Sequence, residues 1–203
     1  MTEILKNAGK PARGTEKSPR ERILEAARTL FYAHGIRGVS VDEIAAAAQT
    51  NKMTLYRHFV SKDLLVADYL RMLSAEAEAG WADIARAHPG RPCAQLDAWI
   101  DQMGEMLAKA GDRGCAVANA AVELPEKDHP ARAVIEEHKT HQRDHLAALC
   151  RDAGFAKPGQ LADEIFLLLE GARINMQSVG KCGPGARIAE MLRNMVKASP
   201  RTG

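Results

Sequence analysis

The chain has 203 residues, 46% hydrophobic but only 4% aromatic, which is enough to bury a substantial core and favours helices over strands. No apolar run approaches the roughly 20 residues that cross a bilayer, the N-terminus lacks the apolar centre of a secretory signal, and Cys93, Cys115, Cys150 and Cys182 include no C-x-x-C pair. The net charge of +2 conceals an asymmetry: residues 1–62 hold 11 Lys and Arg against 6 Asp and Glu, and the remainder 17 against 20, so the first third is the end suited to an anionic polymer.

Residues 1–18 carry too little apolar surface to fold alone and are expected to form a basic tail. Lys6, Lys10, Arg13 and Lys17 either add contacts to a nucleic-acid backbone or minor groove, or are simply solvated. Ser18 as N-cap and Pro19 in the first turn open a helix whose inward stripe is Ile23, Leu24, Ala27, Leu30 and Phe31, and Gly35 ends it. Gly35 and Gly38 bracket a turn, and Ser40 caps the next helix. From Val41 to Lys62 the pattern is a short helix, a break at Gln49, Thr50 and Asn51, and a second short helix. In that second helix Leu55 and Phe59 face inward, while Lys52, Thr54, Tyr56, Arg57 and His58 share the remaining surface. Two such helices, the second carrying the polar display, form a helix-turn-helix.

Residues Ile23 to Lys62 closely resemble the DNA-binding domain of the TetR-type (tetracycline-repressor) regulators, above all in ILEAARTLFYAHGIRGVSVDEIAAAA followed by TLYRHFVSK. Gln49 stands where the family usually has a glycine or similarly small residue, and Val60 where proline or glycine is common. The resemblance implies that Ser40 touches a phosphate as well as capping its helix. It implies that Lys52 and Met53 read bases, a lysine donating to guanine and a methionine packing on a thymine methyl. It matches Thr54, Tyr56 and His58 to positions that bind phosphate or, less uniformly, bases, although the Tyr56 ring could equally pack locally. Lys62, beside the free amides of a new helix, is placed to clamp a phosphate.

A long helix from Asp63 to about Ala87 is expected to begin against the DNA-binding domain and end in a second one, as a lever between them. HPGRP (His88–Pro92) breaks the chain. The next helix, about Cys93 to Ala110, displays Leu96, Trp99, Ile100, Met103, Met106 and Leu107, either as ordinary core or as a soft wall for an irregular apolar molecule. Cys115 to Leu124 is almost uncharged and is expected to be buried nearly all round. Asn119 within it is either a satisfied core amide or a polar anchor for a ligand. From Pro130 to about Ala153, His138, His141 and His145 share one face. That spacing suits metal ligands, but no second ligand cluster is evident, and a solvated or interdomain polar face is the stronger reading. The apolar helix from Gln160 to Val179 and the last helix, Gly185 to Lys197, resemble the family's dimerisation element, the alternative being a closing pair of core helices.

The expectation is thus an all-α protein of about nine helices: the tail 1–18, a three-helix DNA-binding domain 19–62, and a ligand-binding and dimerisation domain 63–203. The resemblance implies a homodimeric repressor, not an enzyme, released from a double-stranded operator by a small, largely apolar effector; the scattered cysteines fit a reducing cytoplasm, and no metal or cofactor is expected. Candidate effector-binding residues are Trp99, Met103, Met106, Cys115, Asn119 and Phe166. The alternatives are an activator or constitutive regulator, or a metal-dependent enzyme working through His138, His141 and His145. Each cysteine is a small packing residue or, alternatively, a redox-sensing thiol.

Overall fold

The computed structural model describes residues 17–109, 113–180 and 182–202. Most of the expected tail, including Lys6, Lys10 and Arg13, lies outside the described residues, as does Ala110; Lys17 pairs with Glu25 at 2.5 Å. The described residues form nine α-helices: α1 (Pro19–His34), α2 (Val41–Ala47), α3 (Lys52–His58), α4 (Lys62–Ala87), α5 (Pro92–Lys109), α6 (Ala116–Glu123), α7 (Pro130–Asp152), α8 (Pro158–Val179) and α9 (Ile188–Ala198), the last preceded by a 3-10 turn, Pro184–Arg187. Among these residues no helix is long and apolar enough to cross a membrane.

Local capping explains the first four helices. Ser18 and Ser40 each accept a hydrogen bond from the amide three residues on, and the Glu21 and Glu43 carboxylates each accept one from the cap backbone amide. Asn51 and Ser61 cap α3 and α4 through Thr54 N and Leu64 N. Each such cap satisfies an amide that the helix itself leaves unpaired, worth about 1 kcal/mol.

Two apolar clusters hold the chain together. The first gathers Ile23, Ile44 and Leu55 from the head with Leu65, Tyr69 and Leu70 of α4, Val117 and Ala120 of α6, and Val134 and Ile135 of α7. The second contains Trp81 and Ile84 from the far end of α4, together with Trp99, Ile100, Leu146, Ile165 and Leu192. α4 therefore enters both cores, as its stripe suggested. Packing runs without a break across Lys62, because the three helices of the head lean on α4, α6 and the start of α7. Ion pairs reinforce that lean: Arg20 meets Asp68 at 2.6 Å, and Arg28 meets Glu76.

α6 departs from expectation. Val117 and Ala120 are buried, but Val122 is 80% exposed, so this helix packs one side rather than all. Its uncharged run reflects a helix that lies between a core and a hollow, where small side chains suffice. Gly171 of α8 faces open space, whereas the close approach in this region is made by Gly185, where an added Cβ would come within 2.9 Å of the Ala172 carbonyl.

Candidate nucleic-acid interface and internal cavity

The exposed side of α3 is the most conspicuous surface of the head. Leu55 is fully buried beneath it, and the Arg20 guanidinium sits 5.0 Å above the buried Phe59 ring, fixing the helix from below. Outward, Met53 is 83% exposed and Tyr56 is also exposed. Lys52 reaches the Asp42 carboxylate at 3.1 Å, an exposed pair worth so little that it does not withhold the ammonium from an anion. The Thr54 amide is taken by the Asn51 cap at 2.8 Å, leaving its hydroxyl as the group available outward.

Two of the expected contact residues are more constrained. Ser40 Oγ donates to Glu43 Oε2 at 2.7 Å while accepting from Glu43 N at 3.2 Å, so the capping role occupies its proton as well as its lone pair. The hydroxyl and then the backbone amide of Ser40, both donating to the Glu43 carboxylate, lower its pKa. His58 turns Nε2 into the head, where it is buried without a hydrogen-bond partner. Lys62 opens α4 half-buried; burial lowers its pKa, opposed by Asp63, Glu123 and Glu43. The turn before α3 is reached through Gln49 at φ 52°, the one non-glycine with positive φ among the described residues.

Between the two apolar clusters lies a cavity of about 890 Å³, a volume in the range of small-molecule sites. Trp99, Met103, Met106, Cys115 and Phe166 all line it, brought together from α5, α8 and the start of α6. Asn119 does not: its amide donates to the Arg113 carbonyl at 2.6 Å and it borders a smaller crevice beside Phe31 and Glu123. Sequence patterns gave no sign that Arg28, Thr29 and Tyr32 of α1 reach the same hollow, so that the head itself forms part of its wall. Lys139 and Arg173 were missed as well, because long charged residues on amphipathic helices ordinarily face water.

The three histidines of α7 diverge. His138 lines the cavity, His141 is exposed, and His145 pairs with Glu78 at 2.8 Å and stacks on Trp81 with centroids 5.1 Å apart. Among the described residues no three His, Cys, Asp or Glu side chains are grouped so as to hold a metal ion. Of the four thiols, Cys150 is buried and its pKa is pushed up to about 11 by that burial, which suits a packing role.

α6 joins cavity to head. Its first residues face the hollow, and at its other end Glu123 Oε2 accepts from the Ile36 and Arg37 amides at 2.6 and 3.2 Å. Those are the amides exposed where α1 stops at Gly35, whose φ of 82° and missing Cβ let the carboxylate approach. Arg37 in turn donates to the Glu123 carbonyl at 2.7 Å and pairs with Glu126.

A helix-turn-helix head whose first helix walls a cavity in a helical body defines a one-component regulator architecture. Residues 23–69 match the model for bacterial regulatory proteins of the tetR family, and residues 92–191 match the C-terminal domain of LmrA/YxaF-like transcriptional regulators, so the chain belongs to the TetR family. It is similar to the HTH-type transcriptional repressor SCO4008 of Streptomyces coelicolor, 34% identical over 87 residues, 43% of this chain and 41% of that protein. It is also similar to the HTH-type transcriptional repressor Rv3405c of Mycobacterium tuberculosis, 31% identical over 107 residues, 50% of this chain and 54% of that one. The chain thus spans about half the length of the curated relatives it matches. Among solved structures, SCO4454, a TetR-family transcriptional regulator from Streptomyces coelicolor, superposes with a TM-score of 0.77 at 28% identity over 88% of this chain and 92% of that one.

Proposed function

We propose that this protein is a DNA-binding transcriptional repressor that acts as a homodimer and is released from its operator by a small, largely apolar molecule bound in the cavity. The observation that carries the reading is the continuity of cavity and head: α1 lines the hollow directly, while α6 runs from its wall to the α1–α2 turn. A molecule that wedges the two apolar clusters apart moves the base of the head. Release requires that it favour the non-binding arrangement by several kcal/mol.

Dimerisation is supported by an exposed apolar strip on α8, with Leu167, Ile174 and Val179 turned outward around the open Gly171, and by Met191 of α9 beside it. Two recognition helices, α3 of each subunit, would then enter successive major grooves roughly 34 Å apart. Lys52, Met53 and Tyr56 would meet bases and backbone, with Lys62 on a phosphate.

Selection of bound fragments, followed by titration of the selected duplex across salt concentrations, tests this reading. Lys62→Ala should weaken binding to all duplexes and reduce the salt slope by about one unit, and Tyr56→Phe should weaken all of them without changing the slope. Lys52→Ala should change the preferred operator, by about 1–3 kcal/mol at one base pair. A strictly monomeric protein indifferent to every duplex at low salt overturns the reading, and a reporter assay with and without the protein separates repression from activation.

A further inference from the structure

The chemistry of the cavity wall is one-sided. Facing it, α7 presents Lys139 and Gln142, neighbours at i and i+3 on one helical face, and α8 presents Arg173. Lys139 Nζ lies 2.5 Å from Glu170 Oε2, and Arg173 pairs with the other oxygen of the same carboxylate. Glu170 does not itself line the hollow, so two cations share one anion that stands behind them and leave a net charge of one toward the space. All three are mostly sequestered, with side-chain exposures of 21% for Lys139, 24% for Glu170 and 16% for Arg173.

The neighbouring groups add hydrogen-bond donors and no negative charge. Gln142 Oε1 accepts from the Trp81 indole at 3.1 Å, which leaves its Nε2 buried with no hydrogen-bond partner. Tyr69 is held as a neutral phenol, its pKa pushed up to about 12 by burial. His138 is held neutral, its pKa lowered to about 4 by burial and then by Lys139 and Arg173. Among the described lining residues the one carboxylate is Glu76, already paired with Arg28, and the lining Lys109 pairs with Glu105 at 2.8 Å. A buried unpaired donor and an excess positive charge are both costly when nothing answers them. A cationic guest would face that charge uncompensated, and a purely apolar one would desolvate it for nothing.

On the reading that this cavity is the effector site, we propose that it takes an apolar monoanion, its oxyanion group held by Lys139, Arg173 and Gln142 and its hydrophobic body lying against Trp99, Met103 and Phe166. A carboxylate or sulfonate supplies the acceptors that Gln142 Nε2 lacks and neutralises the surplus charge through charge-assisted hydrogen bonds. The rest of the wall gives such a molecule dispersion contacts with rings and thioethers.

The test titrates the full chain, without DNA, with two probes that share a ring skeleton: 8-anilinonaphthalene-1-sulfonate and the neutral N-phenyl-1-naphthylamine. Trp81 and Trp99, the chain's 2 tryptophans, both line the cavity, so their quenching reports occupancy directly. The expected result is saturable quenching at one sulfonate per chain, with affinity roughly tenfold above that of the neutral probe. Lys139→Gln should lower the sulfonate affinity about tenfold and leave the neutral probe unchanged, while Glu170→Gln should raise it. The proposal is overturned if the neutral probe binds as tightly, if Lys139→Gln shifts both probes equally, if Glu170→Gln weakens the sulfonate, or if the sulfonate binds without quenching these tryptophans. If the sulfonate behaves as expected yet leaves an operator complex intact, the repressor-release reading fails and the anion site stands.

Discussion

The two apolar clusters differ in side-chain type as well as in purpose. The one beneath the head is closed by side chains of near-zero exposure, Ile23, Ile44, Leu55 and Leu65, and its helices are fixed at their ends by reciprocal caps. The one in the body is built around large, adaptable groups, the stacked Trp81–Trp99 pair and Met103, and against the first it leaves the hollow. A head that must meet a fixed polymer spacing gains from rigidity, and a body that must admit a guest gains from a seam that can part.

The contrast is sharpest in what a truncation costs. Leu55→Ala removes a fully buried side chain that its neighbours cannot collapse to replace, and should destabilise the protein by about 2–5 kcal/mol. Met106→Ala, trimming a half-exposed side chain already bordering the cavity, should cost under about 1 kcal/mol. Urea titrations of both variants measure the difference; equal losses would mean that the hollow is closed in solution.

Severing the joint between the two regions comes next in size. Glu123→Ala leaves the Ile36 and Arg37 amides without their acceptor and should cost about 1–3 kcal/mol. It should also blunt the response of DNA binding to a cavity ligand more than it alters ligand affinity. Parallel titrations of ligand and duplex separate those two effects.

A smaller effect is expected from pH. His138 has a folded pKa of about 4 against an ordinary 6.5, chiefly because burial disfavours its charged form. Between those values the unfolded chain binds the proton more readily, so stability falls as pH drops from about 6.5 toward 4. His138→Gln removes this contribution. Its stability profile should be flatter than that of the parent over that window and parallel to it above pH 7, as followed by thermal unfolding.

The head was legible because its determinants are local. Ser18, Ser40 and Asn51 sit within three residues of the amides they satisfy, and the stripe of Ile23, Ala27 and Phe31 repeats at helical spacing. In the body the helices were legible and their partners were not. That α6 would expose Val122, that Glu123 would serve a turn far earlier in the chain, and that Lys139 and Arg173 would face inward all depend on contacts between distant segments. A faint sign existed for Glu123: the amides of the turn that follows α1, no longer in a helical ladder, need an acceptor, although nothing in the pattern says from where. Trp99, Met103 and Met106, which line the cavity, belong to one stripe that a solid core would have displayed equally well.

The smallest expected change concerns a residue whose oddity the sequence did reveal. Gln49 occupies a position that resembles a glycine site of the family, and its φ of 52° lies in the left-handed region where a side chain strains the backbone. The Gln49 amide donates to the Ala46 carbonyl at 3.0 Å and the Thr50 amide to Ala45 at 2.9 Å, so the turn between α2 and α3 is held in place despite that strain. Gln49→Gly relieves it at the cost of extra freedom in the unfolded chain, for a net gain of about 0.5–1 kcal/mol. Because the side chain is exposed, the substitution removes no buried packing. Thermal unfolding should therefore show a modest rise in midpoint with operator affinity preserved; a loss of stability would mean that the Gln49 side chain anchors the turn in solution.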